Sequence, residues 1–147
     1  MLNCPFCRTA KPENDADMLA MIQARVEKKN PDAISHLGEK YFFGDLGVRE
    51  DEAKAAEYYK KAAVEGHVQS RNNLGATEVK KGNYDRAVRH FMISAKMGHI
   101  SSVKNIKMIF AEGGATEEKY TEALRGYQNA VEGMKSHDRD EAKRLGY

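Results

Sequence analysis

The sequence predicts an all-α protein: a right-handed α-solenoid of three helix–turn–helix repeats with an N-terminal capping helix. The first observation behind this is a stripe. Ala33, Leu37 and Tyr41 recur at helical spacing, and Ala55, Tyr58-Tyr59 and Ala62-Ala63 form a second stripe with the same period. Between them Gly44-Asp45-Leu46-Gly47 breaks the period with two residues tolerant of positive φ. The second observation is recurrence. A shift of 37 residues carries Ala33, Leu37 and Gly38 onto Ser70, Leu74 and Gly75. A shift of 32 carries Ala55, Tyr59, Ala63, Gly66 and His67 onto Ala87, Phe91, Ala95, Gly98 and His99. Helix pairs that repeat at this period stack on one another, because a single hairpin cannot bury its own apolar stripe.

Residues 1–13 hold Cys4-Pro5-Phe6-Cys7-Arg8 and the short linker Lys11-Pro12-Glu13. Two thiolates at C-x2-C spacing can grip one zinc ion from a tight turn, which Pro5 helps to fix. Cys4 and Cys7 are therefore a candidate, incomplete zinc site. Three readings stay open: an inert remnant, zinc shared between two chains as four cysteines, or redox and crosslinking chemistry. Residues 14–30 read as the capping helix, with Asn14 as its cap and Asp15 and Asp17 in the first turn. Met18, Met21-Ile22 and Val26 then follow at helical spacing as core filling. Residues 31–67 are the first repeat: Pro31 opens it, Asp51 caps its second helix and Gly66 supplies a left-handed end. Residues 68–99 are the second, with a tighter loop at Lys81-Gly82-Asn83. Residues 100–136 are the third, with Ser102, Ile106 and Phe110 on its first helix. Its second helix opens at Thr116-Glu117-Glu118 and carries Ala123, Tyr127, Ala130-Val131 and Met134. Residues 137–147 turn polar and read as a tail or short helix. Leu37, Leu74 and Ile106 are expected in the core, while Gly38 and Gly75 let the paired helix come close. Tyr58, Tyr59, Phe91 and Tyr127 are expected between neighbouring hairpins.

From Ala33-x3-Leu37-Gly38-x2-Tyr41-x2-Gly44-x2-Gly47-Val48-x2-Asp51 through Lys54-Ala55-x2-Tyr58-Tyr59-x-Lys61-Ala62-Ala63-x2-Gly66, the sequence resembles a Sel-1-like repeat almost position for position. The resemblance extends over residues 31–135. The tight loop of the second copy is closer to a tetratricopeptide repeat, and the third copy has Lys107 where the first has Gly38. The resemblance implies a superhelical scaffold that holds other proteins, and no reaction. The Cys-Pro-x-Cys-Arg string resembles the last knuckle of a RING-type zinc finger. The upstream ligands of such a finger are not in the sequence, which implies a finger cut short at Met1. Two functions follow as expectations: a non-enzymatic protein–protein interaction scaffold, or the substrate-binding part of a RING-type E3 ubiquitin ligase whose finger is truncated.

Composition narrows the classes. At 147 residues the chain is long enough for one domain with a continuous core. A net charge of +2 is too small to argue for nucleic acid or an acidic membrane surface. No apolar run is long enough to span a bilayer or form a signal-peptide core. Two cysteines three residues apart are no disulfide framework, so a cytoplasmic, intracellular monomer is expected, with a zinc-bridged dimer through Cys4 and Cys7 as the alternative. No other cofactor is expected. His36, His67, His90, His99 and His137 are scattered, and the repeat equivalence of His67 and His99 explains both without metal or catalysis. Ser70 near His67 lacks an orienting third group, and Gly113-Gly114 is no phosphate loop. The first helices of stacked pairs line a concave face. The positions outside their core stripe are Ser35, His36, Glu39 and Phe42, then Asn72, Asn73, Ala76 and Val79, then Lys104, Asn105 and Met108. Asparagine and lysine there suit the main chain and carboxylate of a protein or peptide ligand.

Overall fold

A computed structural model describes residues 13–146, so Cys4 and Cys7 lie outside the described residues. Seven helices and no strand are found among those residues. The chain divides between His67 and Val68 into two units.

The first unit holds α1 (Asp15–Glu27), α2 (Pro31–Phe43) and α3 (Glu52–Val64), with α2 packed against both others. Each helix starts on a side-chain cap. Asn14 accepts from the Asp17 N–H, Asn30 from the Ala33 N–H with Pro31 following it, and Asp51 from the Lys54 N–H. The loop after α2 is held by Asp45. Its carboxylate takes Lys40 Nζ at 2.9 Å and the Leu46 N–H at 2.9 Å, which supports Leu46 in a left-handed conformation, φ 56°. The core is built from small residues around one aromatic: Ala33, Ala55, Ala62 and Ala63 with Ile22, Ile34, Leu37 and Tyr59. Tyr59 lies against Gly38, where a Cβ would stand 2.9 Å from its ring. The close approach is thus inside the helix pair, and Tyr58 too faces its own pair, stacked on Tyr41 at 5.6 Å.

The second unit holds α4 (Val68–Lys80), α5 (Tyr84–Lys96), α6 (Ile100–Ala111) and α7 (Glu117–Arg144). α5 is its centre and packs against the other three helices. Ala87, Val88, Phe91 and Ala95 of α5 join Val103, Ile106 and Ile109 of α6 and Ala123 of α7 in one core. Phe91 repeats the arrangement of Tyr59: a Cβ on Gly75 would lie 2.5 Å from its ring. Gly126 lets α7 approach α5, since a Cβ there would meet Lys96 Cγ at 2.6 Å. The polar segment expected as a tail or short helix is helical and continues α7 without a break to Arg144. No Gly or Pro stops the helix between Lys135 and Leu145, and Arg144–Glu141 and His137–Glu141 pairs lie along it.

Candidate partner-binding surface

Within the second unit, α4 and α6 border a groove floored by α5. Ala76 and Val79 come from α4, Asn105, Met108 and Ile109 from α6, and the Phe91 ring lies at the base, with Glu112 at the rim. The cavity measures about 210 Å3. Ala76 leaves the space, being too short to fill it. Met108 is 63% exposed, a large apolar side chain held at the edge of the groove.

A polar network fixes one wall. Asn72 Oδ1 accepts from Ser102 Oγ at 2.8 Å and from Asn105 Nδ2 at 3.1 Å. Ser102 Oγ also lies 3.0 Å from His99 Nδ1, and His99 Nε2 lies 2.9 Å from the side-chain amide of Gln69. Burial pushes His99 below the ordinary imidazole value. In the neutral ring Nε2–H donates to Gln69 Oε1, whose NH2 goes on to Asn73 Oδ1, and the Ser102 hydroxyl proton is shared between Nδ1 and Asn72 Oδ1. Asn105 thereby commits an N–H to Asn72, while its Oδ1 has no donor among the described residues. Ser102, although beside a histidine, is fully buried. Its Oγ is spent on Asn72 and out of a substrate's reach, so the pair orients Asn105 and does not form a nucleophile.

Two expected contact residues are corrected by their burial. Ser35 is 3% exposed and Asn72 8% exposed, so neither faces a partner. The reason is that α2 is covered by two helices, which widens its buried stripe to Ser35, and that α6 side chains close over Asn72. His36 is exposed, and Glu39 and Phe42 are half-buried, on α2. On α4 Asn73 is half-buried and accepts from Gln69 Nε2 at 2.9 Å, and Ala76 is exposed. Lys104 and Met108 are exposed on α6 and Asn105 is half-buried. Ala76, Val79, Asn105 and Met108 are brought together in the groove; Phe91, Ile109 and Glu112 complete it without having been singled out as contacts. Phe91 and Ile109 sit on core stripes, and one face of a buried side chain opening into a cleft leaves no mark in helical periodicity.

The two repeat histidines perform the same task. His67 Nε2 lies 3.2 Å from Asp32 Oδ1, and His99 Nε2 reaches Gln69. The shift of 37 residues carries Asp32 onto Gln69, so in both copies the histidine after the second helix ties back to the start of the first. Among the described residues no group of three or more His, Cys, Asp or Glu is placed to hold a metal ion, and no helix is long and apolar enough to cross a membrane.

The α2–α3 and α4–α5 pairs, each with a glycine under an aromatic ring and a histidine tying its ends, coincide with matches to a known repeat. Residues 31–67 and 72–99 match the Sel1 repeat. The chain carries Sel1 repeats. It is 31% identical over 111 residues to the ERAD-associated E3 ubiquitin-protein ligase component HRD3B of Arabidopsis thaliana, an alignment covering 72% of this chain and 17% of that protein. Among solved structures it is similar to a protective antigen of uropathogenic Escherichia coli strains that displays an SLR fold. That likeness has a TM-score of 0.67 and 28% identity, and covers 82% of this chain and 27% of the antigen. The fold class is thus the α-solenoid of helical repeats. The Sel1-repeat chain spans less than a third of either relative's length.

Proposed function

We propose that this Sel1-repeat chain is a non-enzymatic protein–protein interaction scaffold that holds a peptide segment of its partner, with the α4–α6 groove receiving one apolar side chain. The groove is the observation that carries this reading. At about 210 Å3 it suits a single leucine- or phenylalanine-sized side chain, and it falls short of the several hundred Å3 typical of small-molecule sites. Asn105 Oδ1 accepts from the peptide main chain beside it, Met108 covers the buried side chain, and Lys104 meets a carboxylate. Asn73 on α4 and, in the first unit, His36, Glu39 and Phe42 on α2 offer further contacts. The reading places the protein in the cytoplasm as a monomer.

A display library of random peptides panned on the full chain tests it. The selected peptides should share one large apolar residue. Their binding should weaken about tenfold with Met108→Glu or Asn105→Ala, the usual loss for a central anchor contact, while the helical circular-dichroism signal stays unchanged. Selection of no peptide, or equal binding by both variants, removes the groove assignment.

The likeness to an E3 ubiquitin-protein ligase component favours one second reading: the substrate-binding part of a RING-type ligase, joined to the finger of which Cys4 and Cys7 would be the last knuckle. It requires ubiquitin-conjugating activity to co-purify with the tagged chain from its own cells, and a substrate whose ubiquitylation falls with Met108→Glu. A purified assembly without that activity sinks it.

A further inference from the structure

The first unit carries another groove, which the reading above does not use. It lies between α1 and α3, beside α2, and encloses about 530 Å3. Its apolar lining is Val26 of α1, Ile34 of α2, and Tyr58 and Val64 of α3. Val64 is 78% exposed, the most exposed large aliphatic among the described residues. Around this lining stand three lysines, Lys29, Lys60 and Lys61, against one acid, Glu65. The groove therefore concentrates as much net positive charge as the entire chain carries.

Those cations are not neutralised from within. Among the described residues no carboxylate stands within ion-pair distance of Lys29, Lys60 or Lys61. Lys61 Nζ instead rests 5.3 Å over the Tyr58 ring, Tyr58 stacks on Tyr41, and Lys54 Nζ sits 4.2 Å over Tyr41. This ladder of cation, ring, ring and cation holds Lys61 by its π contact while leaving its charge unpaired. Lys29 stands at φ 57° in the α1–α2 turn, where a glycine would incur no steric cost.

We propose that this groove docks an acidic segment of a partner protein. An aliphatic or aromatic side chain of that segment lies on Val26 and Ile34 beside Val64, and its carboxylates face Lys29, Lys60 and Lys61. Charge complementarity selects the occupant: unpaired cations around an apolar floor match a peptide that alternates acids with apolar anchors. A nucleic acid would leave the aliphatic floor without a counterpart, and the bidentate arginines that favour phosphates are not among the lining residues.

Fluorescence anisotropy on the full chain tests this with two synthetic peptide pools that share their apolar positions, one rich in Asp and Glu, the other in Lys and Arg. A single-stranded RNA and phosphatidylserine vesicles serve as competing probes. The acidic pool should bind and the basic pool should not. Binding should weaken about tenfold or more with Lys60→Glu/Lys61→Glu and with Val64→Asp, and should survive Lys60→Arg/Lys61→Arg. It should also fall when salt rises from about 50 to about 500 mM, as screening shortens the reach of the lysines. Met108→Glu, in the other groove, should leave it unchanged, which separates this proposal from the peptide reading above. Should the double charge reversal lower the melting temperature, Lys60→Gln/Lys61→Gln carries the comparison. Equal binding of both pools, no binding of the acidic pool, insensitivity to these variants, or preference for RNA or vesicles overturns the proposal.

Discussion

Gly75 and Gly38 show how a single missing Cβ organises a helix pair. With a Cβ at Gly75 the Phe91 ring would have to move from a fully buried position, since the contact would shrink to 2.5 Å. Gly75→Ala should therefore destabilise the protein by about 1–3 kcal/mol through overpacking, despite alanine's better helix propensity. At Gly38 the approach to Tyr59 is looser, 2.9 Å, so Gly38→Ala should cost less. Urea denaturation of both variants checks the order. Ser35 gives the opposite case. Its Oγ is buried and has no hydrogen-bond partner among the described residues. Ser35→Ala removes that desolvated hydroxyl and should be neutral or stabilising by up to about 1 kcal/mol in the same assay. The two glycines were legible in the sequence because each repeats beside a leucine at the same offset. The burial of Ser35 was not, because it depends on two helices covering α2 from different sides.

At the scale of elements, the starts of α1, α2, α3 and α7 were readable because a cap is local: Asn14, Asn30, Asp51 and Thr116 each accept from a backbone N–H three residues on. The end of α7 was not readable by the same means. Polarity past Lys135 suggested a boundary, yet polarity alone does not stop a helix that meets neither Gly nor Pro between Lys135 and Leu145. Ala123 is the one fully buried residue of α7, so its C-terminal half is held by backbone hydrogen bonds and surface pairs. Ser136→Pro should break that half, lowering the helical circular-dichroism signal while leaving the melting temperature of the core nearly unchanged. A matching fall in melting temperature would mean that the distal part of α7 supports the core.

For the whole molecule, stability should depend on pH through His99. Burial lowers its folded pKa below the unfolded value of 6.5, so the folded state favours the neutral ring. The stabilisation is complete above pH 6.5 and is lost as pH falls through the depressed folded value. His99→Gln, which keeps an amide near Gln69 but does not titrate, should flatten thermal stability in that window. Asp45, held below the usual carboxylate range by its hydrogen bond from Lys40, adds a loss only at lower pH. Metal content bears on the ends of the reading that Cys4 and Cys7 carry. Zinc shared between two copies predicts one ion per two chains and a dimer that a chelator returns to monomer. A zinc-free monomer leaves the cysteines inert or redox-active.

The sequence by itself determined the helix pairs, their caps, the glycines beneath Tyr59 and Phe91, and the repeat equivalence of His67 and His99. Each of these is written within one helix or one repeat, where spacing along the chain equals position on a face. Tertiary structure decided which polar residues remain available. Asn72 and Asn105 look alike on a helical wheel; only the arrival of Ser102 and Asn105 over α4 buries the first and leaves the second at the groove. The lysine-rimmed groove of the first unit is likewise drawn from three helices that share no sequence window. Periodicity specifies a face; what stands opposite that face is set by packing.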